Sequence, residues 1–576
     1  MSFITDPDRD RVLNAEGHVV VTGGPGCGKT ALALRKALVR INKGLECYQK
    51  VLFLSFSRAA VARIVQGARK GLPRDLRHQL QIETFHSFCW QIVRNHGYLL
   101  GAATPICLLP PHDERALRDG ATTGDPAWDA ERDRLFLEEG RIAFDLFAPK
   151  TLALLHGSRE LRRLLAARYP LIIVDEAQDT GTEQWGCIRV LAEFVQIVCL
   201  ADLDQQIYDF RPDVSPDRLN HILAAINPIQ IDLGGQNKRS PDVEIVQFGN
   251  DILRDTPRGG AYKGVSQFSF QSEASKRDRA IRSAIGMVYK QIEKTIGTPP
   301  ESIGYFTNWG KGVSIIAHAL QGDDSKRIIP HRVVMDEAEV LLATRVIALC
   351  LEPIEDKWAT LAHGLGLISS LYRARGSITN IRRAERLDCY AENARKHRIR
   401  GNAHCPSALN KILEYIHSNV FTGNPAHDWL TVRRHFENSG VSELQLVAKL
   451  VIYLMAFNRG RRISDNLAEV WQRCGMYKGA RGLIEDAITQ DQIVGSDGDL
   501  LGINVMTMHK SKGKEFDGVI ILHLGNEISP FSRYNEKPPY TKSRRLLRVA
   551  ITRARHHVLM LTDAYNPSPL LKGHKL

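Results

Sequence analysis

The residues best suited to chemistry cluster first at positions 23–30, Gly-Gly-Pro-Gly-Cys-Gly-Lys-Thr, which fit the pattern G-x-x-x-x-G-K-[ST]. A glycine-rich turn lets backbone N–H groups crowd a polyphosphate without Cβ clashes. A helix that opens at the Lys-Thr pair directs its positive end at the same anion. In this arrangement Gly23, Gly24, Pro25, Gly26, Cys27 and Gly28 form the cradle, Lys29 reaches the β- and γ-phosphates, and Thr30 holds Mg²⁺. The second chemical group is Asp175-Glu176, directly after the aliphatic run Leu171-Ile172-Ile173-Val174. One carboxylate, Asp175, assists the metal, while Glu176 positions and deprotonates an attacking water. The alternatives, an ordinary glycine turn and a solvated acidic turn, do not account for the apolar strand that precedes each. The two groups together describe hydrolysis of a nucleoside triphosphate.

The elements that must position these groups are readable from apolar runs. Val19–Val21, Val51–Leu54, Leu171–Val174 and Ile197–Ala201 read as buried strands and Ile82–Thr84 as a short strand, and helical patterns separate them. Strands that are apolar throughout and alternate with helices make a parallel sheet covered on both faces. Ligands bind such sheets at the carboxyl ends of the strands, where the polar groups sit. A second α/β set follows, with strands at Ser302–Tyr305, Val505–Met508, Gly518–Leu524 and His557–Leu561 and no phosphate loop of its own. Residues 95–165 and 346–494 read as mostly helical. One lobe with a loop and one without suggest a site at their junction.

Composition bounds the rest. A chain of 576 residues exceeds any single hydrophobic core. A net charge of +13 favours a polyanionic partner. The ten cysteines include no C-x-x-C pair, which argues against a zinc ribbon or a disulfide framework and for reduced thiols in the cytoplasm. The apolar stretches are too short or too interrupted to span a bilayer, and no signal peptide is visible, so no membrane partner is expected.

Taken in order, the segments resemble the superfamily 1 helicases of the UvrD, PcrA and Rep type. Gly23–Thr30 looks like their motif I, Leu54-Ser-Phe-Ser-Arg-Ala-Ala like motif Ia, and Thr84-Phe-His-Ser-Phe like motif Ib. Val174-Asp-Glu-Ala-Gln-Asp is similar to motif II, and Asp202-Leu-Asp-Gln-Gln-Ile-Tyr-Asp-Phe-Arg to motif III. Gln236-Asn-Lys-Arg-Ser resembles motif IV, the block from Val505 to Phe516 motif V, and Leu547–Arg555 motif VI. The resemblance implies an α/β fold of two RecA-like P-loop lobes with parallel sheets, plus mostly helical inserted subdomains, a small 1B and a larger 2B. Domain 1A would comprise residues 1–88 and 163–232, 1B 89–162, 2A 233–345 and 495–576, and 2B 346–494.

It further implies ATP and Mg²⁺ as cofactors, with Gln205 sensing the γ-phosphate, Arg239 and Arg553 acting as arginine fingers, and Glu515 bonding the ribose. Phe56, Tyr208 and Phe210 would stack on bases of single-stranded DNA. Thr84, His86, Arg211 and His509 would contact the strand's backbone or support those aromatics. Three departures stand out. Asp8-Arg9-Asp10 occupy the place of an adenine-reading Gln, Lys238 that of an adenine-stacking Tyr, and Lys514 that of an apolar residue. Between Arg373 and Arg400 nine Lys/Arg stand against three acidic residues, interleaved with Tyr372 and Tyr390, a pattern for either duplex phosphates or a solvated helix face. The leading expectation is a 3′ to 5′ DNA helicase or translocase acting on single-stranded and tailed duplex DNA. Two alternatives are an ATPase that senses DNA and licenses a separate nuclease, as in the Gabija anti-phage system its compact form resembles, and a non-hydrolysing nucleic-acid-binding subunit.

Overall fold

Short aliphatic runs can be fully buried only if both faces of a sheet are covered, and the computed structural model of this chain builds two such sheets. It describes residues 7–56, 58–118, 125–207, 213–234, 242–321, 328–334, 338–375, 378–399, 401, 403–418, 421–455, 458–484, 500–525 and 536–576. In chain order the strands are β1 (Val19–Thr22), β2 (Val51–Ser55), β3 (Leu80–Thr84), β4 (Cys107–Leu109), β5 (Arg141–Ala143), β6 (Leu171–Val174), β7 (Gln196–Ala201) and β8 (Ile229–Asp232). They continue with β9 (Val265–Phe270), β10 (Ser302–Thr307), β11 (His331–Val334), β12 (Gly502–Thr507), β13 (Phe516–His523) and β14 (Ala554–Asp563).

One six-stranded sheet runs β3-β2-β6-β7-β1-β8 and the other β11-β12-β10-β13-β14-β9. Every neighbouring pair in both is parallel. This is the α/β architecture of two parallel-sheet lobes that the apolar runs and the resemblance predict. Both sheets lie in one compact unit, Met1–Val93, Ala148–Met335 and Ser496–Leu576.

Three strands, β8, β9 and β11, go beyond the predicted set, and all three are outermost in their sheets. An edge strand has no neighbour on one side and need not be apolar throughout. Residues of β9, Val-Ser-Gln-Phe-Ser-Phe, mix apolar and polar side chains, and β8 exposes all but Ile231. Without a continuous apolar run, neither carries the signal that reveals β6 or β7. The 95–165 region, expected to be helical, also holds a two-stranded parallel ladder, β4 with β5.

The second compact unit, Arg94–Phe147 with Asp336–Gly495, is mostly helical. Its two segments pack together: Arg345 Nη2 donates to Asp113 Oδ2 at 2.9 Å. Leu365, Ile368, Tyr372, Trp429, Phe436 and Val447 belong to its core. The two tyrosines of the basic stretch are therefore packing residues, Tyr372 buried and Tyr390 set against the same core. Arg373 is paired with Asp388 at 2.6 Å and Arg383 lies over the Tyr372 ring, so part of that charge is already compensated. Among the described residues no helix is long and apolar enough to cross a membrane.

In the second sheet, Gly518 of β13 lets the helix Ala274–Ile296 lie directly on the strand. A Cβ there would come within 2.5 Å of Val288 Cγ1 and 2.8 Å of Ile292 Cδ1. Overpacking of this kind typically destabilises by about 1–3 kcal/mol. Gly518→Ala is accordingly expected to lower the thermal midpoint of the two-sheet unit while leaving nucleotide affinity unchanged, as calorimetry alongside a nucleotide titration would read.

Candidate active site

The phosphate loop follows β1, which is held between β7 and β8. At Gly23 the backbone takes φ 152° and a Cβ would meet Cys27 Sγ at 2.8 Å, so the turn excludes a side chain. At Gly28 φ is 91°, the left-handed residue from which the helix Lys29–Asn42 starts. Gly24 N donates to Gly234 O at 3.2 Å, tying the loop to the end of β8. Lys29 Nζ donates to Gly23 O at 2.5 Å and Gly24 O at 3.0 Å, and stands 3.8 Å from Asp202 Oδ2. Arg9, in the stretch where the resemblance implies an adenine-reading Gln, instead donates from Nη2 to Cys27 O at 2.8 Å and braces the loop's own backbone.

Asp175 and Glu176 emerge from β6 into the same space. Glu176 adopts φ 52°, a left-handed conformation rare for a residue with a side chain. Strain of this kind clusters at functional sites, where surrounding structure over-determines it. Here Gln178 supplies part of that determination, donating from Nε2 to Glu176 Oε2 at 2.7 Å. Asp175 is 4% exposed, and its Oδ2 is buried with no hydrogen-bond partner among the described residues. A buried carboxylate oxygen left without a donor, beside the half-buried Thr30, fits a hydrated Mg²⁺. Burial and the adjacent Glu176 carboxylate push the Asp175 carboxyl up to about 6. Burial works against ionisation of Glu176 too, but the Lys512 and Lys29 ammonium groups outweigh it and hold the group at about 2.

The second sheet meets this site with its amino-terminal edge. Phe516 N donates to Arg553 O at 3.0 Å, holding the starts of β13 and β14 together, so that Glu515 and Arg553 project from adjacent positions. Arg553 is 2% exposed; its Nε donates to Val549 O at 2.8 Å and its Nη2 to Gln205 Oε1 at 3.0 Å. Glu515 accepts from Arg63 Nη1 at 2.8 Å and lies 3.4 Å from Arg555 Nη2. The resulting cavity, about 410 Å³, is lined by Pro25–Ala31, Arg63, Asp175, Glu176, Gln205, Glu515, Arg553 and Arg555, among others. It thus gathers most of the loop with Lys29, Thr30, Asp175, Glu176, Gln205, Glu515 and Arg553 from the sequence-based set. Arg239 lies outside the described residues, as do Lys238 and three of the strand-contact candidates, Tyr208, Phe210 and Arg211.

The other strand-contact candidates sit elsewhere on the sheets. Phe56 follows β2, and Thr84 ends β3 with His86 in the helix turn after it. These are the two outer strands on the side of the sheet away from β1, so about four strand spacings, roughly 19 Å, separate β3 from β1. Thr84 Oγ1 accepts from Ser87 N at 3.1 Å and so caps the helix Phe85–His96. His509 lies at the carboxyl end of β12, half-buried.

Several positions at this site escaped sequence reasoning. Lys512 is 5% exposed: its Nζ pairs with Asp179, donates to Gln205 O at 2.6 Å and stands 3.5 Å from Glu176 Oε2. In the run His-Lys-Ser-Lys-Gly-Lys-Glu it reads as one of several surface lysines, and no spacing reveals that it is buried. Arg63 carries no signal beyond a helical position after β2. Asp202 was readable as a polar strand end, but not its bond from Gln205 Nε2 at 2.6 Å.

Similarity to known proteins extends over both regions of the chain. The family profile described as UvrD/REP helicase N-terminal domain matches residues 4–132 and 128–214, and that of the UvrD-like helicase C-terminal domain matches 383–564. A "Probable DNA helicase II homolog" of Mycoplasma pneumoniae is 21% identical over 96% of this chain and 83% of that protein. The "ATP-dependent DNA helicase PcrA" of Staphylococcus aureus is 24% identical over 37% of this chain, which covers about a third (34%) of that relative's length.

Lys512 offers a direct test of the site's electrostatics. With the ammonium in place Glu176 is ionised throughout the neutral range. In Lys512→Met the burial of Glu176 loses its main opposition, so its carboxyl rises and the protonated, non-basic form persists to higher pH. The acid limb of the kcat profile should therefore move upward in Lys512→Met and return toward its original position in Lys512→Arg, measured from pH 5 to 9.

Proposed function

The chain belongs to the UvrD-like family of ATP-dependent DNA helicases, and from that premise we propose that it translocates 3′ to 5′ along single-stranded DNA, driven by hydrolysis in the cavity between its two sheets. The observation that carries this reading is the 3.0 Å contact between Arg553 of the second sheet and Gln205 of the first, at the rim of the phosphate loop. A group that senses the terminal phosphate and a permanently charged group that neutralises transition-state charge meet there across the lobes.

In this reading Lys29 binds the β- and γ-phosphates, Thr30 and Asp175 hold Mg²⁺, and Glu176 accepts the proton of the attacking water. Mg²⁺ bound there neutralises phosphate charge. Arg553 and Arg239 serve as fingers, and Glu515 turns from Arg63 to the ribose. Phe56, Tyr208 and Phe210 stack on bases, with Thr84, His86, Arg211 and His509 along the strand. The subdomain limits follow the motif order: 1A at 1–88 and 163–232, 1B at 89–162, 2A at 233–345 and 495–576, and 2B at 346–494. With Arg9 bracing the loop and no glutamine in that stretch to read adenine, selectivity among nucleoside triphosphates is weak.

The test is phosphate release by the purified chain with and without single-stranded DNA, together with unwinding of 3′- and 5′-tailed duplexes. Stimulated turnover with unwinding of the 3′-tailed duplex alone is expected, and a preference for the 5′ tail overturns the polarity. Stimulation without unwinding of either substrate replaces the helicase reading with a DNA sensor that acts through a separate nuclease. Lys29→Ala is expected to abolish turnover, and Glu176→Gln to lower kcat by roughly 10²-fold or more, the usual contribution of a positioned base. Phe210→Ala should weaken single-strand affinity by about 1–3 kcal/mol and uncouple turnover from DNA; unchanged stimulation removes it from the stacking set.

A further inference from the structure

The helix Thr541–Ile551 carries another arginine five positions before Arg553, and nothing in the reaction described above uses it. Arg548 is 1% exposed. Its Nε donates to Asn250 Oδ1 at 2.9 Å, within its own lobe. Its Nη2 crosses to the other lobe and stands 3.4 Å from Asp204 Oδ2. Its Nη1 is buried with no hydrogen-bond partner among the described residues. The stem needs the room that Gly249 leaves, since a Cβ there would lie 3.3 Å from Arg548 Cγ. A permanently charged group this buried is tolerated only when paired. Asp204, itself half exposed, is the carboxylate it has among the described residues.

Asp204 is the centre of the short turn Leu203–Gln205, and each side of that turn is committed. Asp202 Oδ1 accepts from Asp204 N at 3.1 Å, while Asp202 Oδ2 accepts from Gln205 Nε2 at 2.6 Å and faces Lys29. Gln205 Oε1 accepts from Arg553 and its carbonyl accepts from Lys512. The turn therefore joins the phosphate-loop lysine to two cations of the second sheet. Neither Arg548 nor Asp204 lines the nucleotide cavity. Their pair acts on the turn, at a distance from the phosphates.

We propose that Arg548 is a positioning residue. By holding Asp204 it fixes the Leu203–Gln205 turn in the register where Gln205 meets Arg553, and so sets how readily the lobes close around bound nucleotide. The proposal rests on hydrolysis in that cavity. Loss of the Asp204 charge leaves the buried guanidinium uncompensated only when the lobes are together, so it penalises closure more than nucleotide binding.

The experiment uses the full chain and compares the wild type with Asp204→Asn, Arg548→Gln, Arg548→Lys and the double variant Asp204→Asn/Arg548→Gln. Three readouts are taken: DNA-stimulated kcat and KM, the thermal midpoint, and lobe closure on adding a non-hydrolysable ATP analogue, followed by energy transfer between one dye on each lobe. Asp204→Asn, isosteric and at a half-exposed site, is expected to fold normally and to lower kcat by about tenfold, within the range for directly contacting residues. Its KM stays within about twofold, and the fraction closed at saturating analogue falls correspondingly. The double variant loses no more than the worse single one, and Arg548→Lys falls between wild type and Arg548→Gln. The proposal is overturned by an Asp204→Asn protein with wild-type kcat and closure, by additive losses in the double variant, or by a loss of activity that follows the thermal midpoint alone. A wild-type chain that closes on the analogue yet never turns over would sink the hydrolysis reading instead, and the closure data would still decide the role of Arg548.

Discussion

A cavity that receives a polyanion must hold buried cations, and those cations need partners in the protein itself. Lys29 rests on the carbonyls of Gly23 and Gly24. Arg63 holds Glu515, Arg553 holds Gln205, and Lys512 is shared among Asp179, Gln205 and Glu176. Three of these four arrangements join one sheet to the other. The desolvation penalty of the charges is met by contacts that also define how the lobes meet. A ligand that supplies its own negative charge must compete with those contacts, and this gives nucleotide binding leverage over lobe geometry.

Topology makes the leverage local. Parallel strands in the first sheet deliver Gly23, Asp175 and Asp202 at their carboxyl ends, the usual binding edge of such sheets. The second sheet turns the opposite edge toward the cavity, where the starts of β13 and β14 bring Glu515 and Arg553 side by side. One lobe contributes the cradle and the carboxylates, the other mainly cations. The short turn Leu203–Gln205 lies where the two sets meet, and its few polar atoms are already divided between them.

Much of this was legible in the sequence because the informative residues are conformationally demanding or uniformly apolar. Central strands such as Leu171–Val174 must be apolar on both faces, and the phosphate loop must be glycine-rich, so both announce themselves. Edge strands β8, β9 and β11 did not, since one free edge relaxes the requirement. Charged residues were the least legible. Lys512 and Arg548 sit in basic runs that look like solvated surface, and only long-range packing turns them into buried cations. Tyr372 and Tyr390 sit in a stretch that reads as duplex-phosphate contact or solvated helix face, yet both pack on the helical core.

The left-handed backbone at Glu176 has a consequence for how this site tolerates change. Glycine adopts such a conformation at no steric cost and asparagine or aspartate at little. Glutamate is held there by its surroundings, at an expense on the order of 1–3 kcal/mol. The substitutions that would relax the turn are therefore the ones that remove or shorten the carboxylate. On the proposed reading, a selection imposed on thermal tolerance alone would drift at this position toward sturdier proteins that lack their general base.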